Sequence, residues 1–303
     1  NIKVDVRIGN GITYDVYCGE EKVLADCRMS MNIEGNVLGS LPKLQSVKRQ
    51  KVNDVKRPFL KLKFAEVPNN YNEMTLVMKG NYSVVFRAYN DGLAYRFVTS
   101  LKGEVKVNHE DITVFFPQDA QLVLQQSDRY RTSYEERYSF VKSSEWLSFQ
   151  KMAHYPVLAI TSGGTKILMS ESDLCDYPAP FFRSNDANGF SSVFPRVPAV
   201  EKPRSDKSND VLLRHPYIAK TQGTRSFPWR YFVIAKDEAA LVTNTMTCRL
   251  AQDSKLQDVS WIVPGQASWE WWNGAVPYGP DVNFKRSEEH TSELQSPGSS
   301  RMP

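Results

Sequence analysis

The densest chemistry in this 303-residue chain lies between Trp261 and Val282. Three of the four residues Trp269, Glu270, Trp271 and Trp272 are indoles, followed by Asn273 and by Pro277-Tyr278-Gly279-Pro280-Asp281-Val282. Tryptophan faces stack on the C–H-rich faces of sugar rings, and amide and carboxylate groups bond hydroxyls, so the pattern suits a saccharide pocket. A core or interdomain seam would use the same residues. Arg230, in Pro228-Trp229-Arg230, lies on a strand-like run and would either line the same pocket or seam, or pair with a carboxylate across it. Ser170-Glu171-Ser172-Asp173 gathers carboxylates and hydroxyls, and taken alone it reads as a solvated turn.

Other chemistries find no support. There is no G-x-S-x-G elbow, no H-E-x-x-H and no P-loop, and Gly9-Asn10-Gly11 lacks the third glycine of a dinucleotide fingerprint. His109, His154 and His215 have no ligand spacing. Cys18, Cys27, Cys175 and Cys248 form no C-x-x-C pair, and most of them are expected to be buried small apolar residues. A net charge of +4, from 38 basic and 34 acidic residues, is too mild to argue for nucleic acid. Lys43–Lys63 holds eight lysines and arginines. Without interleaved aromatics it reads as a lysine-guarded edge strand rather than an anionic-polymer patch. No stretch approaches the ~18 apolar residues of a membrane span, and no signal peptide opens the chain.

The elements that must position these residues are strands. Ile2, Val4, Val6 and Ile8 alternate with polar partners, as do Ile12, Tyr14, Val16 and Cys18, with a glycine-asparagine turn between. Met74–Met78, Ser83–Tyr89, Leu93–Val98, Tyr155–Thr161, Lys166–Met169 and Trp229–Ala235 continue the series, with a short helix over Asp237–Val242. Ser184–Asp210, rich in Ser, Pro, Asn and Asp, reads as loop. At 41% hydrophobic the chain can bury a core, and many short strands in about 250 residues predict an all-β fold, an enlarged β-sandwich.

Several stretches resemble glycoside hydrolase family 97. They are PGQASWEWWNGAVPYGPDVNFK (Pro264–Lys285), Val67–Phe97, ILMSESDLCDYP (Ile167–Pro178) and SFPWRYFVIA (Ser226–Ala235). The resemblance covers nearly all of residues 1–285. It implies an N-terminal β-sandwich domain over residues 1–258, then a linker and only the first strand of a (β/α)8 catalytic barrel over 259–285. PYGPDV resembles the starch-processing α-glucosidase branch, which implies a Ca2+-dependent inverting enzyme acting on α-linked oligosaccharides. Inversion needs an acid and a base roughly 6.5–9.5 Å apart. The family carries both on later barrel strands, so the chain is expected to hold no catalytic carboxylate, to be inactive by itself, and to pack on the missing barrel.

Glu171 is the position at which the family's sandwich lends an oxygen to the calcium, with Asp173 and Asp176 beside it. Arg230, Trp271, Trp272 and Asn273 are the expected sugar-site or seam residues. The resemblance also implies a periplasmic location. Two alternatives remain: a stand-alone carbohydrate-binding module and the N-terminal domain of a retaining α-galactosidase of the same family. Residues 286–303 stand apart. RSEEHTSELQS, from Arg286 to Ser296, resembles a translated sequencing-library adapter, so this tail is expected to be non-native. Without it the charge is 36 basic against 31 acidic residues.

Overall fold

A computed structural model describes residues 1–58, 63–147, 151–205, 208–263 and 265. The chain divides into one compact unit of residues 1–58 and 63–253 and a second of residues 59–62 and 254–303.

The first unit is a single hydrogen-bonded sheet folded over on itself. Its strands are β1 (Ile2–Ile8), β2 (Ile12–Cys18), β3 (Glu21–Ile33), β4 (Asn36–Leu38), β5 (Leu44–Lys56), β6 (Val67–Met78), β7 (Tyr82–Tyr89), β8 (Gly92–Phe115), β9 (Gln121–Ser127), β10 (Tyr138–Lys142), β11 (Met152–His154), β12 (Val157–Ile160), β13 (Lys166–Ser172), β14 (Phe181–Ser184), β15 (Gly189–Val193), β18 (Ala219–Ser226) and β19 (Trp229–Ala235). A separate hairpin pairs β16 (Pro198–Ser205) with β17 (Ser208–Arg214). Two short helices, α1 (Glu238–Val242) and α2 (Met246–Leu250), follow. Asp237 caps α1, its carboxylate accepting from the Ala240 amide at 2.8 Å.

β8 makes the sandwich. Its first residues pair with β7 on one side and β19 on the other, while residues 107–113 pair with β3. β18 and β15 lie along its second arm. One layer therefore runs β10, β9, β12, β13, β19, β8, β7, β6, β5. The other runs β1, β2, β3, β8, β15, β14, β11, and β11 returns to the end of β9. Period-two alternation sends one row of side chains inward from each strand. Tyr14, Val16, Leu24, Met31, Phe97, Val107, Ile112, Val114, Phe190 and Phe232 fill the space between the layers. The opposite row of β19, Trp229, Tyr231 and Val233, packs under Met246 and Leu250 of α2 in a smaller outer cluster.

The all-β sandwich expected from the alternation is the fold observed. The lysine-rich run is β5, an edge strand pairing among the described strands with β6 alone; its charges guard an open edge. Two expectations need correction. Ser184–Asp210 is not a loop: it contains β15, β16 and the first three residues of β17, and Pro198, Val200, Glu201, Lys202, Pro203 and Ser205 of its polar sequence all find ladder partners on β17. Of the four cysteines only Cys27 is buried; Cys175 is exposed, Cys18 and Cys248 are half-buried, and all four are free.

In the second unit the described residues form turns. Asp258 accepts from the Ser260 amide at 2.9 Å, and the Ile262 amide donates to the Val259 carbonyl at 3.1 Å. The expected first barrel strand, the cluster Trp269 to Asn273 and the 286–303 tail lie outside the described residues. Among the described residues no helix is long and apolar enough to cross a membrane.

Candidate functional site

Parity brings three charges together inside the sandwich. Arg230 shares the inward row of β19 with Phe232 and Ile234, and Glu171 shares that of β13 with Ile167 and Met169. Antiparallel register sets Glu171 directly opposite Arg230. From the other layer Glu110 points inward in the row of Ile112 and Val114. Arg230 donates from Nε to Glu110 Oε1 at 3.0 Å and from Nη2 to Glu110 Oε2 at 2.7 Å, a bidentate fork that ties the two layers. Its Nη1 donates to Glu171 Oε2. The guanidinium stands 5.9 Å from the ring centres of both Tyr177 and Phe194.

Arg230 is 1% exposed. It therefore does not line an open sugar site; it pairs with carboxylates, one of the two roles open to a strand-borne arginine. Although burial works against its charge, Glu110 and Glu171 hold it protonated, well above the ordinary range. Burial raises Glu171 above the usual carboxylate range, with Arg230 opposing and Glu110 adding to the rise. Two carboxylates face one guanidinium, so the fully ionised triad carries one surplus negative charge.

Glu171 reaches the rim of the triad: its side chain is 12% exposed, and among the described residues its Oε1 accepts no hydrogen bond. Tyr134, half-exposed with φ +61°, lies close enough for its phenol to feel the Glu171 charge. Its ring meets that of the buried His154 at 4.6 Å, and His154 Nε2 lies 3.5 Å from Glu136 Oε2. His154 Nδ1 is 3.2 Å from the Tyr155 carbonyl.

The other acids of the SESDLCD stretch are used elsewhere. Asp173 accepts from the Gln252 amide at 2.9 Å and stands 4.0 Å from Arg96. Asp176 is exposed. Among the described residues no group of three His, Cys, Asp or Glu converges to hold a metal. One oxygen of Glu171, beside surplus negative charge, fits a single ligand for a hard cation, and the described residues do not complete a site.

Sequence reasoning missed Glu110, the anchor of the triad. A signal was there: within Glu110-Asp111-Ile112-Thr113-Val114, Glu110 has the parity of the apolar residues, and an acid on a core face needs a buried partner. It also missed that two guanidiniums lie over the Trp229 ring, Arg87 at 4.5 Å from its centre and Arg96 at 4.1 Å.

The family model described as glycosyl-hydrolase 97 N-terminal matches residues 1–252. The chain belongs to glycoside hydrolase family 97. Its relatives include a retaining alpha-galactosidase from Bacteroides thetaiotaomicron, 32% identical over 90% of this chain and 43% of that protein. A probable retaining alpha-galactosidase from Streptomyces bingchenggensis is 27% identical over 68% of this chain and 28% of that protein. Among solved structures, a family 97 enzyme from Pseudoalteromonas sp. strain K8, in complex with acarbose, superposes with a TM-score of 0.75 at 20% identity. That match covers 90% of this chain and 40% of the Pseudoalteromonas chain, and at this identity it speaks for the fold. The family 97 chain thus spans less than half the length of these relatives.

Proposed function

We propose that this chain is the N-terminal sandwich of an α-glycosidase, and that Glu171 lends one oxygen to a Ca2+ completed by residues of the catalytic part. The observation that carries the reading is the triad. Glu110 fixes Arg230, Arg230 fixes one oxygen of Glu171, and among the described residues the other oxygen, at the rim beside surplus negative charge, accepts no hydrogen bond. When bound, the cation would supply positive charge able to polarise a sugar oxygen. The chain's own residues bind and orient: the fork between Glu110 and Arg230 keeps the layers in register, and Glu171 presents its oxygen in one rotamer. Sugar contacts by Trp271, Trp272 and Asn273 remain part of this proposal.

Two substrate readings have separate support. The 32% identity to a retaining alpha-galactosidase favours α-galactosides with retention. The PYGPDV resemblance favours starch-derived α-glucosides with inversion and a periplasmic location, which cell fractionation tests. The deciding experiment compares this chain with the full-length product of its gene on nitrophenyl α-galactoside and α-glucoside, following the anomer released by NMR. The chain alone is expected to be inactive and the longer protein to turn over one of the two. Sustained turnover by residues 1–285 would overturn the domain reading. In the longer protein Glu171→Gln is expected to weaken calcium binding in isothermal titration, and an unchanged affinity would remove the metal role.

A further inference from the structure

A cleft of about 590 Å³ opens at Leu101–Val105, between the stretch of β8 that pairs with β7 and the stretch that pairs with β3. The extended chain from Val105 to Glu110 spans roughly 15 Å, so the cleft stands apart from the triad. Hydrogen bonds from backbone amides assemble its walls. The Lys79 amide donates to the Lys43 carbonyl at 2.8 Å, the Ser100 amide to the Asn81 carbonyl at 2.8 Å, and the Glu34 amide to the Lys106 carbonyl at 3.0 Å. The Gly39 amide donates to the Tyr82 hydroxyl at 3.1 Å.

The floor of this cleft is apolar and its rim is basic. Ile33, Leu38, Tyr82 and Val105 line it from the buried core. Lys43, Lys79 and Lys102 line it from separate segments; all three are exposed, and none forms an ion pair with a described carboxylate. Glu34 is the one acid of the lining, so positive charge is in surplus. Leu41 forms a lip: it is 69% exposed and has φ +44°. Left-handed backbone disfavours a leucine, and a side chain left in water gains nothing from burial. The Leu41 amide, donating to the Asn10 carbonyl at 3.0 Å, holds it there. An unfavourable conformation at the mouth of an apolar cleft marks a surface built for a ligand.

The volume suits one small molecule. An aliphatic floor offers no partners to sugar hydroxyls, and a flat bilayer does not fill a concave surface. Ammonium groups act as point charges and accept any acidic head without requiring a fork. We propose that this cleft binds an amphiphilic anion, an apolar chain or ring bearing one acidic group. The apolar part lies on Ile33, Leu38, Tyr82 and Val105 under the Leu41 lip, and the acid sits among Lys43, Lys79 and Lys102. The site stands whether or not Glu171 holds calcium.

The test is isothermal titration of the 303-residue chain at low salt with decanoate, octanoate, decanol and acetate, all below micelle-forming concentrations. Decanoate should bind, decanol should bind more weakly, and acetate should give no heat. Each methylene removed from the chain should weaken binding about fourfold. Each lysine replaced by glutamate should weaken decanoate about fivefold and leave decanol unchanged, and added salt should weaken decanoate further. Leu41→Gly suits the left-handed backbone, so the variant should fold while losing affinity for both ligands. Thermal melts identify any lysine variant that is not folded, and Leu41→Gly then carries the comparison. No heat with decanoate, equal affinity for decanoate and decanol, or full affinity in folded Leu41→Gly or lysine variants would overturn the proposal. Sedimentation with phosphatidylglycerol–phosphatidylcholine vesicles in place of decanoate binding would make the surface a membrane contact instead. Loss of decanoate binding in the full-length product of the gene would mean that the rest of the protein covers the cleft, and would overturn it too.

Discussion

Glu110→Ala would leave the Arg230 guanidinium buried with half its partners gone, which costs about 3–5 kcal/mol. Changing all three members, Glu110→Gln and Glu171→Gln with Arg230→Met, removes every stranded charge and should cost much less. Urea unfolding of the two variants checks the difference, and equal losses would mean that the fork is not what stabilises this part of the sandwich. The cysteines supply a second residue-scale prediction. Burial pushes the Cys27 thiol up to about 12, whereas Cys175 is exposed. At about pH 8 a disulfide reagent should label Cys175 at once and Cys27 only after unfolding, because the thiolate is the reacting species. Prompt labelling of Cys27 in the folded chain would contradict its placement. The chemistry of Glu171 was legible in sequence only as a resemblance, since no spacing rule links positions 110, 171 and 230. Their meeting depends on which rows face inward and on how β8 crosses between the layers.

Strands were the most legible elements, because alternation is written locally. Ile2–Ile8 and Ile12–Cys18 read as a hairpin and form one, in the register Ile8 to Ile12. The hairpin of β16 and β17 escaped because its pattern is broken by prolines and by shifts of register, so composition pointed to loop. Glycine marks where elements press together. A Cβ on Gly189 would sit 2.0 Å from the Val114 carbonyl oxygen, where β15 meets β8. Gly189→Ala should therefore cost at least about 2 kcal/mol, read as a lower melting temperature. Gly9→Ala, with open space around it and no positive φ, should cost less than that and serves as the control. A Gly189 variant as stable as the parent would mean that the two strands are not so close.

Across the whole molecule, hydrogen-bonded carboxylates should set the response to pH. Hydrogen bonds from Arg7, aided by the Asp26 amide and Lys22, hold Asp15 well below the usual carboxylate range. Burial would raise Glu21, but Thr165, Thr161 and Lys236 bond its carboxylate and together lower it. A carboxylate depressed on folding contributes stability above its unfolded pKa near ~4, and that contribution is lost as pH falls through the folded value. Glu171, raised on folding, has the opposite sign: its contribution is fullest below the unfolded pKa and fades as pH rises. Among the described carboxylates the lowered ones, which also include Asp119, Glu136 and Glu238, outnumber the raised Glu171, so the urea midpoint should drop between about pH 6 and pH 3. Asp15→Asn should flatten that slope while lowering stability at neutral pH, and an unchanged slope would exclude Asp15 as a contributor.

The 24 residues of β8 also bear on how the chain is made. During synthesis β8 leaves the ribosome with β7 and β3 already available, but β15, β18 and β19 are encoded some 75 to 115 residues later. At translation speeds of roughly 5–20 residues per second, that edge waits on the order of ten seconds for its partners. For that interval a long strand with one apolar row offers unpaired amides and carbonyls to any neighbouring nascent chain. Yield in a cell should then depend on how well that waiting edge is shielded, and a holdase or a slower, cooler expression would act on this step.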